Sequence, residues 1–252
     1  MIRMLASVRT LDEARDAARA GADLIDLDEP GAGAFGAIPA ARIARIAQSL
    51  RAEYPHLPVS ATIGDGRAGD DASLAFRASR TARCGVGYVK AGVPADGASF
   101  DVACRTLASM RRLHGNMVPV LLVDNGLDLR VVEYASKLRF AGVMVDTTSR
   151  KLANLFQCVP LAVLDSMVQI VRMHDAMAIL AGELLGKHVP LIRALGPDIA
   201  GFRTALRDGS RTSRLDPARV RDLRAQLPGP ARSAHGAAND IGIEAPAQSA
   251  VA

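Results

Sequence analysis

The chain has 252 residues, 49 % of them apolar but only 4 % aromatic, and carries a formal net charge of +5. That length suits one large core built mainly of Ala, Val, Leu and Ile, with no need of a second domain. The positive charge is mild and scattered, which argues against a nucleic-acid-binding face and suits an anionic small substrate; no apolar run approaches the roughly 20 residues of a membrane span.

Short apolar runs fall at 2–6, 24–27, 58–63, 88–91, 118–123, 142–145, 176–180 and 199–202. The first opens almost at the N-terminus and reads as a strand, not as a signal peptide. Helix-like stretches stand between the runs, among them 11–20, 40–51, 72–83 and 100–113. Thr10 is placed to cap the first helix, and Asp12 and Glu13 suit its positive N-terminus. Gly21 follows as a stop. Eight strands alternating with helices predict an α/β fold, a (β/α)8 TIM barrel over residues 1–227 that ends with a helix at 217–227. Residues 228–252 are rich in Ala, Gly, Pro and Ser and lack a sustained period, so they read as a disordered tail.

The barrel reading selects candidate residues, because sites in this architecture sit at the C-terminal strand ends. The second strand ends in Asp26 and Asp28, and the sixth in Asp146 with Arg150 and Lys151 behind it. The fourth run ends in Lys90, one of only four lysines among 31 basic residues. Burial of an amine favours its neutral form, which makes it a usable base or nucleophile. Carboxylates and a lysine at one mouth can move protons next to a carbonyl. Solvated, mutually paired strand ends would carry the same residue types. Gly182, Gly201, Arg203 and Arg207 follow strands seven and eight, where barrels often bind phosphate. A glycine-rich turn with solvent-facing arginines would look the same.

Other motifs point elsewhere or nowhere. Gly31, Gly33 and Gly36 form a GxGxxG string, but it follows the second strand between Pro30 and Pro39. It reads as a flexible active-site loop and not as a dinucleotide turn. The five histidines share no metal-ligand spacing, so no metal is expected, and no other cofactor. Cys84, Cys104 and Cys158 are odd in number and lack CxxC spacing, as free thiols of a reducing cytoplasm would be.

Several of these stretches together resemble the (5-formylfuran-3-yl)methyl phosphate synthases of methanofuran biosynthesis. They are Gly21-Ala22-Asp23-Leu24-Ile25-Asp26, Val59-Ser60-Ala61-Thr62-Ile63-Gly64-Asp65, Tyr88-Val89-Lys90-Ala91-Gly92, Val145-Asp146-Thr147 and Leu180-Ala181-Gly182. Residues 198–203, with Leu215-Asp216, extend the match over 1–227. The resemblance implies a TIM-barrel lyase of one-carbon metabolism. It would condense two molecules of glyceraldehyde 3-phosphate into a furan aldehyde phosphate, with loss of phosphate and water. It also implies proton transfer by Lys90 with Asp26 and Asp146 beside it. The family's Schiff-base lysine falls at Asp28, and a further family lysine falls at Arg150, with Lys151 adjacent. A carboxylate forms no imine and an arginine is no amine nucleophile. The alternatives are therefore an imine on Lys90 or Lys151, acid/base chemistry without an imine, or a non-catalytic homologue. The expected partner is a phosphorylated small molecule met in the cytoplasm. The chain is expected as a homo-oligomer, with no nucleic acid and no membrane.

Overall fold

The computed structural model describes residues 1–29, 36–65, 71–113, 116–148, 154–209 and 213–227. Arg150, Lys151, Gly31, Gly33 and the expected tail lie outside them. The strands are β1 (Arg3–Val8), β2 (Leu24–Leu27), β3 (Val59–Asp65), β4 (Tyr88–Pro94), β5 (Met117–Leu122), β6 (Gly142–Asp146), β7 (Met177–Leu180) and β8 (Ile199–Phe202). All neighbours pair in parallel, and β8 returns to β1, so the sheet closes into the expected TIM barrel. The helices are α1 (Leu11–Arg19), α2 (Ala40–Glu53), α3 (Asp71–Ala82), α4 (Phe100–Arg111), α5 (Leu129–Lys137), α6 (Leu155–Cys158), α7 (Leu161–Met173), α8 (Val189–Leu195) and α9 (Pro217–Gln226). Among the described residues no helix is long and apolar enough to cross a membrane.

Alternation along each strand divides the side chains between two layers. Outward-facing residues such as Met4, Ile25, Ala61, Val89 and Val143 pack against the helices. The inward set, Leu5, Leu24, Val118, Val120, Met144, Ile179 and Ile199, fills the barrel interior. A barrel of this kind is a packed core and not a pore. Its apolar filling leaves the polar inward positions to gather at the upper end.

Lys90 lies deeper than the sequence suggests. The β4–β5 ladder continues through Gly92↔Val120 to Pro94↔Leu122, so Lys90 is the third residue of a seven-residue strand and not its end. Pairing with β5 carries β4 past Lys90 to Pro94.

Thr10 caps α1 as expected, accepting from Glu13 N–H at 3.2 Å. Glu13 does more than favour the helix terminus. Its buried carboxylate binds Arg207 Nη1 at 3.0 Å and accepts from Arg9 N–H at 2.9 Å. Arg207 also donates to Ser7 O at 2.9 Å and Ser213 O at 3.1 Å. Arg207 is 2 % exposed, so its expected role as a phosphate ligand gives way to a structural one. It ties the segment after β8 to β1 and α1 because its charge is already matched.

Burial pushes the Glu13 carboxyl up, but the Arg9 N–H bond and the Arg207 and Arg9 charges outweigh it and hold it below its ordinary value of 4.5. A depressed carboxyl stabilises the fold above its unfolded value, and that share is lost as pH falls through the folded one. Arg207→Met removes the buried partner and is expected to cost about 3–5 kcal/mol in urea unfolding at pH 7. The gap from the unaltered protein should narrow below pH 4.5, as Glu13 takes up its proton in both.

Candidate active site

The upper end of the barrel holds a chain of inward polar side chains. Asp26 on β2 is 1 % exposed and Lys90 on β4 is 3 % exposed. Lys90 Nζ lies 2.7 Å from Asp26 Oδ2. Ser60 Oγ donates to Asp26 Oδ1 at 2.7 Å, and Ser7 Oγ to Oδ2 at 3.3 Å. Both carboxylate oxygens are therefore taken, and Asp26 orients Lys90. A buried carboxylate needs this company, since an unpaired ion in the interior is strongly destabilising. Lys90 also approaches Met144 Sδ at 3.9 Å, which places its ammonium toward β6.

Asp146, at the end of β6, has a different character. One oxygen accepts from Thr147 N–H at 2.7 Å. Burial pushes its carboxyl up to about 7; Lys90 and the Thr147 bond oppose the rise, while the Asp26 and Glu183 charges add to it. A group that titrates near neutrality can both give and take a proton at working pH. Asp146 is only half-covered, and it lines a cavity of about 20 Å3, room for about one water. Met144, Gly182, Glu183, Gly201 and Arg203 line the same cavity.

Asp28 sits just past β2 and is 2 % exposed. Arg203, just past β8, forms an ion pair with its Oδ2. The pair crosses above the end of β1, which lies between those strands. Gly182 and Gly201 border the same cavity. Gly182 has φ +109°, and a Cβ there would fall 3.1 Å from Thr147 N. Only glycine fits so close an approach in that conformation.

The structure thus brings together Lys90, Asp26, Asp28, Asp146, Gly182, Gly201 and Arg203, and it leaves Arg207 outside. Sequence reasoning gave no role to Ser7, Ser60 or Glu183. Glu183 adopts φ +47°, a left-handed conformation uncommon for a side-chain-bearing residue, and accepts from Thr204 Oγ1 at 2.6 Å. Its place after Gly182 was the available signal. The serines give none, since an inward serine looks like any strand serine until its partner is known. Among the described residues no three His, Cys, Asp or Glu side chains converge closely enough to hold a metal ion.

The family model for 4-HFC-P synthase matches residues 4–224. The chain belongs to that family. A relative from Methylorubrum extorquens, provisionally named a (5-formylfuran-3-yl)methyl phosphate synthase, is 33 % identical over 86 % of this chain and 88 % of its own length. The (5-formylfuran-3-yl)methyl phosphate synthase of Archaeoglobus fulgidus is 28 % identical over 85 % of this chain and 94 % of its own. Among solved structures, phosphoribosyl anthranilate isomerase from Thermotoga maritima superposes with a TM-score of 0.63 at 15 % identity, covering 90 % of this chain and 98 % of that one. A 3-hexulose-6-phosphate synthase gives 0.59 at 14 %, covering 90 % and 100 %. At such identities these structures share the fold alone with the 4-HFC-P synthase family member described here.

Asp146 offers a test by stability. Its folded value, about 7, stands above the ordinary 3.8, so between the two the native state holds a proton that the unfolded chain has lost. This group's contribution is full below 3.8 and fades as pH rises through 7. Asp146→Asn should therefore flatten the fall in unfolding free energy between about pH 4 and 7, measured by urea titration at each pH. An unchanged pH slope in the variant would contradict the assignment.

Proposed function

We propose that this protein is a (5-formylfuran-3-yl)methyl phosphate synthase-like lyase that acts on glyceraldehyde 3-phosphate in methanofuran-type cofactor biosynthesis. The observation that carries the reading is the buried Lys90–Asp26 pair, 2.7 Å apart, whose charges both act on Asp146. Membership of the 4-HFC-P synthase family supports the reading, and the substrate and reaction type are those the resemblance implies. Lys90 is the amine in reach of a carbonyl, and Asp26 is the acceptor in contact with it when the amine must lose a proton. Asp146 exchanges protons with the reacting carbons, since it is the carboxyl that titrates near 7. Gly182, Gly201 and Arg203 hold the phosphate through backbone N–H groups and a guanidinium, the groups best suited to its oxygens. Arg150 and Lys151 follow β6 in sequence and lie outside the described residues.

A second reading is acid/base chemistry without an imine, on a related sugar phosphate. Asp28 favours it, because the resemblance puts the Schiff-base lysine there and the carboxylate present is engaged with Arg203. A third, the non-catalytic homologue, predicts no turnover.

Borohydride reduction in the presence of glyceraldehyde 3-phosphate, followed by peptide mass mapping, separates the three. A reduced adduct on Lys90 supports imine chemistry there. Turnover without an adduct transfers the reading to acid/base chemistry, and absence of adduct, turnover and binding leaves the non-catalytic homologue. Lys90→Met is expected to lower kcat by about 10²–10⁴-fold, the range for loss of a positioned proton-transfer group.

A further inference from the structure

Two buried oxygens beside Lys90 lack partners. Asp28 Oδ1 and Thr62 Oγ1 make no hydrogen bond, and their residues are 2 % and 0 % exposed. The β2–β3 register runs Ile25↔Val59, Asp26↔Ser60, Leu27↔Ala61 and ends there; continued by one residue, it would set Asp28 level with Thr62. Asp28 is still held in the barrel ladder, its N–H donating to Val8 O at 3.2 Å. On the other side Thr62 pairs with Lys90. Alternation turns all three side chains inward, as it does for Asp26 and Ser60, which meet at 2.7 Å one step below.

Leaving such a group unpaired is destabilising, and native structures keep few. Two on adjacent strands at one level mark a place where a partner binds. Their chemistry defines it. The carboxylate oxygen, whose partner atom Oδ2 is committed to Arg203, only accepts. The threonine hydroxyl donates as well as accepts. A ligand hydroxyl satisfies both at once, donating to Asp28 and accepting from Thr62. A methylene satisfies neither.

We propose that Asp28 and Thr62 form a hydroxyl-binding subsite that selects a phosphate ester bearing a hydroxyl next to its reacting carbon. The subsite rests on the reading that the mouth takes a triose phosphate, and it gives Asp28 a binding role where an imine-forming amine was expected. A hydroxyl held there lies one strand from Lys90, so the adjacent carbonyl carbon falls on the amine's side. Sites built to hydrogen-bond a substrate hydroxyl discriminate strongly against analogues without it, because their own polar groups are then stranded.

Calorimetric binding of sn-glycerol 3-phosphate and n-propyl phosphate tests this directly. The two share the phosphate and the carbon count, and only the first has hydroxyls. The unaltered protein should bind glycerol 3-phosphate at least about tenfold tighter, the equivalent of one well-made hydrogen bond. Thr62→Val should bring the ratio close to one while unfolding no earlier than the unaltered protein, since it deletes an unpaired hydroxyl. Thr62→Ser should keep the ratio, and Asp28→Asn should reduce it. Equal binding of both esters by the unaltered protein, or a ratio unmoved by Thr62→Val, overturns the subsite and leaves the phosphate reading standing. Binding of neither ester overturns both.

Discussion

Closing eight parallel strands on themselves gives each strand one inward face, and a period of two decides which residues share it. Everything at the candidate site follows from that constraint. Asp26 and Asp28 both face inward because they are two apart. Lys90 meets Asp26 because the β3 and β4 registers bring even-numbered residues to the same face. A one-residue slip of β4 would turn Lys90 toward the helices and bring Val89 inside.

Charge inside the barrel is tolerated because it is matched pair by pair. Lys90 is held by Asp26, Arg203 by Asp28, and Arg207 by Glu13. Each pair joins segments far apart in sequence, so each also acts as a fastener. Lys90–Asp26 spans β4 and β2. Arg203–Asp28 bridges the segments after β8 and β2, over the end of β1. Glu13–Arg207 locks the segment after β8 onto α1. Asp146 differs from all of these. It accepts from the neighbouring N–H, and burial, with Asp26 and Glu183 close by, pushes it up toward neutrality. The site thus combines fixed ions that position and one carboxyl that can change state.

Much of this was legible in the chain. Spaced apolar runs, helix caps and the absence of a second composition class predicted the barrel, and the strand-end rule picked out Asp26, Asp28, Lys90 and Asp146. The rule erred where local signals and ladder pairing disagreed. The run at 88–91 read as a strand ending at Lys90, yet β5 supplies partners up to Leu122 and carries β4 on to Pro94. Arg207 read as a phosphate ligand by its place after β8. Nothing local shows that Glu13, 194 residues earlier, meets it.

Sequence by itself determined the alternation of strand and helix, the inward parity of the acidic residues and the scarcity of lysine. These are properties of neighbouring residues, set by hydrophobic period and backbone preference. The tertiary structure alone decided which charges are paired. It committed Asp28 to Arg203, buried Arg207 against Glu13, left Asp28 Oδ1 and Thr62 Oγ1 unpartnered and pushed Asp146 toward neutrality. The reason is physical: ion pairing and desolvation depend on distance and burial, and both are fixed only when the barrel closes and brings remote strand ends to one mouth.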